Sequence, residues 1–85
     1  MKISTFKNQI NTLQAKQWGY KNIKEALADG MYGVLRVSIS LDDMKDFLKI
    51  SESDAMEIVY NWKDKGEVTF SRVCGLNEIY FLDKN

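Results

Sequence analysis

Along residues 34–82 the apolar positions run first with period two, then with helical spacing, then with period two again. In VLRVSIS, Leu35, Val37 and Ile39 alternate with Arg36, Ser38 and Ser40, which predicts a half-buried strand over residues 34–40. Ser40 opens a short helix, LDDMKDFL. Ile50 and Ser51 break it and open a second helix, ESDAMEIVYNWKDK, which Gly66 stops. EVTFSRV and NEIYFLD follow as two strands around a turn at Cys74, Gly75, Leu76 and Asn77. Val68 and Phe70 alternate with Thr69 and Ser71, and Ile79 and Phe81 with Tyr80 and Leu82, so one face of this hairpin belongs to a core.

The helix starts carry their own signals. Ser51 stands at an N-cap position, where its hydroxyl accepts from a free backbone N–H of the first turn. Asp54 lies where a carboxylate meets the positive end of the helix. Ile50 and Ala55 flank the cap with the spacing of a hydrophobic staple. Ser40, Asp43, Ile39 and Met44 repeat the same arrangement for the preceding helix.

Before Val34 the pattern is helical. Ile3, Phe6, Ile10, Leu13 and Gln17 fall on one stripe of a helix starting near Ser4, with Lys7 and Lys16 on its opposite edges. Trp18, Gly19 and Tyr20 interrupt it. Asn22 with Glu25 makes a capping-box-like start for IKEALAD, closed by Gly30. The stripe of the first helix needs a cover, either its own domain or a second copy of the chain.

Composition narrows the class. With 85 residues, 45% hydrophobic and 12% aromatic, the chain is expected to form one compact unit with a modest core. No apolar run reaches membrane-spanning length and the N-terminus lacks a signal-peptide core, so a cytoplasmic location is expected. A single cysteine makes no internal disulfide, which fits a reducing compartment. The net charge of zero hides a division: residues 1–24 hold Lys2, Lys7, Lys16, Lys21 and Lys24 and no acid, while all 12 acids follow, against seven basic residues. That is +5 in the first segment and −5 in the second. The basic segment is either an arm for an anionic partner or the solvated side of a helix.

Catalytic and metal chemistry find no footing. There is no histidine, and Cys74 is alone, so neither a zinc ligand set nor an activated nucleophile is available. No phosphate-binding loop or dinucleotide fingerprint occurs. Asp42, Asp43 and Asp46 read as a solvated helical face rather than a cation site. Neither a cofactor nor an enzymatic activity is expected.

The order strand, helix, tight turn, helix, hairpin, with both helices capped by serine, resembles the winged helix-turn-helix superfamily. Counting the helix before Val34, the resemblance covers about three quarters of the chain. It implies an α+β fold of helices and a small antiparallel sheet, with residues 1–21 as an added helical extension and 22–85 as the winged-helix domain. It also implies a small DNA-binding transcriptional regulator, dimeric through the N-terminal helix. Helix 52–65 would enter the major groove of double-stranded DNA, reading it with Met56, Tyr60, Asn61 and Lys63, and hairpin 67–82 would be the wing. Arg72 would contact backbone from the wing, while Lys45, Lys49 and the N-terminal lysines would hold phosphates.

The chain departs from the family pattern in three places. Lys45 stands where a small residue usually lets the two helices approach, and Lys49 where glycine is common in the turn. Ala55, Ile58, Val59 and Trp62 face inward on the second helix, which leaves Ser53, Met56, Glu57, Tyr60, Asn61 and Lys63 outside. From Glu52 to Lys65 there are four acids and two lysines, the reverse of the usual bias of a DNA-reading helix. The competing expectation is therefore a protein-interaction module. It would be an adaptor, or a phage- or plasmid-type inhibitor whose carboxylates mimic nucleic acid, with Met56 and Tyr60 as contact residues.

Overall fold

Ser40 and Ser51 cap their helices as their spacing predicts: the Asp43 N–H donates to Ser40 Oγ at 3.1 Å, and the Asp54 N–H to Ser51 Oγ at 3.2 Å. The computed structural model describes Met1–Val73 and Gly75–Leu82. The expected turn residue Cys74 and the expected strand end Asp83 lie outside the described residues. Among those described, the chain is α+β, with four α-helices and a three-stranded antiparallel sheet. They fall into two compact units, Met1–Arg36 and Val37–Asn85. No helix among the described residues is long and apolar enough to cross a membrane.

The Met1–Arg36 unit consists of α1 (Ile3–Gln17), α2 (Ile23–Ala28) and a 3-10 turn (Tyr32–Val34). Asn22 caps α2, its Oδ1 accepting from the Glu25 N–H at 2.8 Å. Ala15, Ala26 and Val34 are fully buried against one another, with Tyr20, Ile23 and Leu27 packed around them. The small alanines allow the two helices to approach closely. The buried side of α1 differs from the expected stripe. Phe6, Ile10, Asn11 and Ala15 are buried, whereas Leu13 and Gln17 are exposed. On a helical wheel the buried arc turns from Phe6 and Ile10 toward Asn11 and Ala15, and Leu13 falls just outside it. A polar residue joins that arc because it has backbone to satisfy: the Arg36 N–H donates to Asn11 Oδ1 at 2.9 Å.

The Val37–Asn85 unit contains β1 (Ser38–Ser40), α3 (Leu41–Leu48), α4 (Glu52–Asp64), β2 (Val68–Val73) and β3 (Leu76–Phe81). The sheet order is β1-β3-β2, with β3 central and antiparallel to both neighbours. Ile39, Ile79 and Phe70 lie side by side across the three strands. Ile39, Leu41, Met44, Ala55, Val59, Trp62, Val68 and Ile79 are buried and form the apolar interior.

Two expected boundaries move. The strand drawn over residues 34–40 shrinks to Ser38–Ser40, and Val34 belongs to the 3-10 turn. Of the three apolar positions in the alternation only Ile39 is buried, and Val37 is 73% exposed. The backbone explains this, since the Arg36 N–H is committed to Asn11, and the β3 ladder begins with the Phe81 N–H donating to Val37 O. At the hairpin, Val73 pairs with Leu76, so Leu76 and Asn77 belong to β3 rather than to the turn.

All four helices end alike. In each, a backbone N–H returns to the carbonyl five residues earlier: Tyr20 to Ala15, Met31 to Ala26, Ile50 to Lys45 and Glu67 to Trp62. The residue just before each donor has positive φ, as this closure requires; three are glycines and the fourth is Lys49.

Removing a cap tests its share of the stability. Ser51→Ala is expected to lower the unfolding free energy by about 1 kcal/mol in a urea titration. A second test concerns Tyr20, whose hydroxyl donates to Asp29 Oδ2 at 2.9 Å. That hydrogen bond, then partial desolvation, then the negative charges of Asp29 and Glu25 raise its pKa above the usual phenol value. The neutral phenol is favoured in the folded state, so this interaction stabilises below the unfolded pKa of about 10 and is lost as pH rises through the folded value. In an alkaline ultraviolet titration, Tyr20→Phe should delete a component that ionises above the usual phenol value.

Candidate nucleic-acid interface

One side of α4 is committed to the core. Ala55, Val59 and Trp62 recur at helical spacing and are all buried, with Ile58 half-buried beside them. Trp62 at this spot anchors the helix, and truncating such a residue removes on the order of 3–5 kcal/mol. The other side is thereby fixed in orientation. Met56, Tyr60 and Lys63 lie one above another on it, with Met56 half-buried, Tyr60 52% exposed and Lys63 exposed. Asn61 is exposed on the adjoining row, between Glu57 and Asp64 at helical spacing.

The acids of α4 divide by role. Glu52 and Asp54 occupy its first turn, where they meet the positive end of the helix dipole. Glu57 and Asp64 have no such duty and set the charge of the row that carries Asn61.

Lys49 is the turn between α3 and α4. It sits in the left-handed region at φ 56 and ψ 48, and it is the only described non-glycine residue with positive φ. This explains why glycine is favoured in such turns: a Cβ in this conformation carries a penalty of about 1–2 kcal/mol. Its side chain is exposed. Lys45, half-buried on α3, reaches outward with its Nζ 3.8 Å from Asp42 Oδ1. A pair that loose contributes roughly 0–1 kcal/mol, so Lys45 stays free to meet another anion.

Arg72 is exposed on β2, where it pairs with Asn77 near the end of the hairpin, on the same strand face as Val68 and Phe70. It stands on a different element from the helical residues. The fold thus brings Met56, Tyr60 and Lys63 into one row, sets Asn61 beside it, and leaves Lys45, Lys49 and Arg72 as separate cations. Among the described residues no group of acids, cysteines or histidines has the arrangement of a metal site.

Besides Tyr80 on β3, two exposed aromatic rings lie outside this set, Trp18 and Tyr32 in the first unit. Periodicity does not reveal them, because both occupy segments between helices. The glycines at Gly19, Gly30 and Gly33 around them are the signal that marks such segments as surface turns.

Replacing Lys49 by glycine should separate fold from charge. Lys49→Gly is expected to raise thermal stability by about 1 kcal/mol, since it removes the left-handed penalty. It also deletes an exposed cation, so a stabilised variant with weaker anion binding is the expected result. Comparison with family models, with curated proteins and with solved structures gave no match.

Proposed function

We propose that the Val37–Asn85 unit is a winged helix-turn-helix module and that the protein binds duplex DNA as a small transcriptional regulator. In this reading α4 lies in the major groove, the β2–β3 hairpin is the wing, and α1 pairs two copies through the side that bears Leu13. The observation that carries it is the outward row of half-buried Met56 and exposed Tyr60 and Lys63 on a helix locked from behind by Trp62, with the cationic turn residue Lys49 just before it. Asn61 reads an adenine edge, Tyr60 stacks or meets a phosphate, and Lys45, Lys49, Lys63 and Arg72 neutralise phosphates.

Charge limits the affinity of this surface. Four cations on each copy neutralise about four phosphates, so log K for each copy bound falls with log salt at a slope of about −3.6, a loss of roughly 150-fold per copy between 50 and 200 mM. Titration of fluorescent random duplex by anisotropy at those two salt concentrations measures that slope. On a selected site, Asn61→Ala with Tyr60→Ala should weaken binding at least tenfold, since a good base contact is worth about 1–3 kcal/mol. Unchanged affinity would remove α4 from the reading face.

Glu57 and Asp64 on either side of Asn61 favour a second reading, a module that takes a basic protein partner against Tyr60 and Met56. The two readings respond oppositely to Glu52→Lys with Glu57→Lys. Duplex DNA binds the doubly substituted protein more tightly, whereas a basic partner is lost.

A further inference from the structure

The Met1–Arg36 unit holds six cationic side chains, Lys2, Lys7, Lys16, Lys21, Lys24 and Arg36, against two carboxylates, Glu25 and Asp29, a net of +4. Its two exposed aromatic rings belong to one locality. The Trp18 indole rests against Gly33: a Cβ added there would lie 2.9 Å from Trp18 Cη2 and 3.5 Å from Cζ3. Tyr32 is the residue before that glycine and is 68% exposed, and Trp18 is itself 44% exposed. Lys16 and Lys21 flank Trp18 in the chain, Lys24 follows in the first turn of α2, and all three are exposed.

We propose that this locality binds single-stranded nucleic acid, with Trp18 and Tyr32 stacking on bases and Lys16, Lys21 and Lys24 meeting the phosphates. Single-strand sites combine these two elements, rings that accept any base and cations that track the backbone. Resting on Gly33 holds the indole in place before a base arrives, so less freedom is lost on binding. An anionic lipid surface fits the same charge but calls for a helix with an apolar face outside. Here Ala26 on α2 is buried in the unit's own core and Ile23 and Leu27 pack against it, so α2 keeps Lys24, Glu25 and Ala28 outside and presents no apolar face. The proposal concerns the first unit and stands apart from the reading of α4.

The two tryptophans give the experiment its signal. Trp62 is 1% exposed and Trp18 is open, so a base stacking on Trp18 quenches the accessible part of the emission while Trp62 stays constant. The full-length protein is titrated with a fifteen-residue oligothymidylate at low salt, by tryptophan emission and by anisotropy of the labelled oligonucleotide. Quenching with binding is expected. Trp18→Ala should bind at least about fivefold more weakly, Trp18→Phe should retain most of the affinity, and Lys16→Ala with Lys21→Ala and Lys24→Ala should reduce the salt slope by about 2. Gly33→Ala displaces the far edge of the indole without a backbone penalty and should also weaken binding. Absence of binding, equal affinity of Trp18→Ala, equal affinity for polyglutamate, or quenching by phosphatidylglycerol vesicles and not by the oligonucleotide would each overturn the proposal.

Discussion

Short helices in a small protein are useful only if the chain can leave them sharply, and here one backbone closure performs every exit. The bond from the residue after the left-handed position to the carbonyl five residues earlier satisfies an orphan acceptor and turns the chain within two residues. Serine or asparagine performs the matching task at the starts of α2, α3 and α4. With both ends closed, helices of 6, 8 and 13 residues retain their form, although isolated segments of such length are marginal in water. The direction in which α4 presents its outer row follows from these ends together with the Trp62 anchor.

The same residues serve local structure and charge display. Glu52 and Asp54 help to start α4, yet they also set the field over its first turn. Lys49 bears an unfavourable backbone conformation and projects a cation. Because stability and surface charge share these positions, neither set of side chains can be altered without affecting the other. That coupling is tightest around the α3–α4 turn and loosest on the row from Met56 to Lys63, where side chains have no capping role.

Much of the secondary structure was legible because its signals are local. Cap residues, glycine stops and alternation over β2 and β3 depend on neighbours within a few positions, and those elements stand where the pattern puts them. The strand at Leu35 and Val37 did not form because a distant side chain, Asn11, takes the backbone N–H of Arg36. No periodicity encodes a contact across 25 residues. The α1 stripe was misread at Leu13 for a related reason: the closeness of Ala15 and Ala26 determines which arc is covered, and small residues weigh little in a hydrophobic pattern. The outward orientation of Tyr60, Asn61 and Lys63 was legible, since burial of Ala55, Val59 and Trp62 fixes what faces out. The left-handed state of Lys49 was legible only as a missing glycine, and the Trp18–Gly33 contact was not legible at all.

The central place of β3 in the sheet has a temporal consequence. Ile39 and Ile79 are register partners, so β1 must wait for nearly the last described residues before it has a strand to join. The closures and caps of α3 and α4, by contrast, join near neighbours and are available as soon as those segments have been made. During synthesis α3 and α4 are therefore made before the strand that completes their sheet, and the inner faces of Met44, Val59 and Trp62 wait for β3 to complete the interior. Long-range pairing of this kind slows folding relative to local helix contacts. It also makes the interval before β3 has been made the time when these apolar side chains are most open to association with other chains.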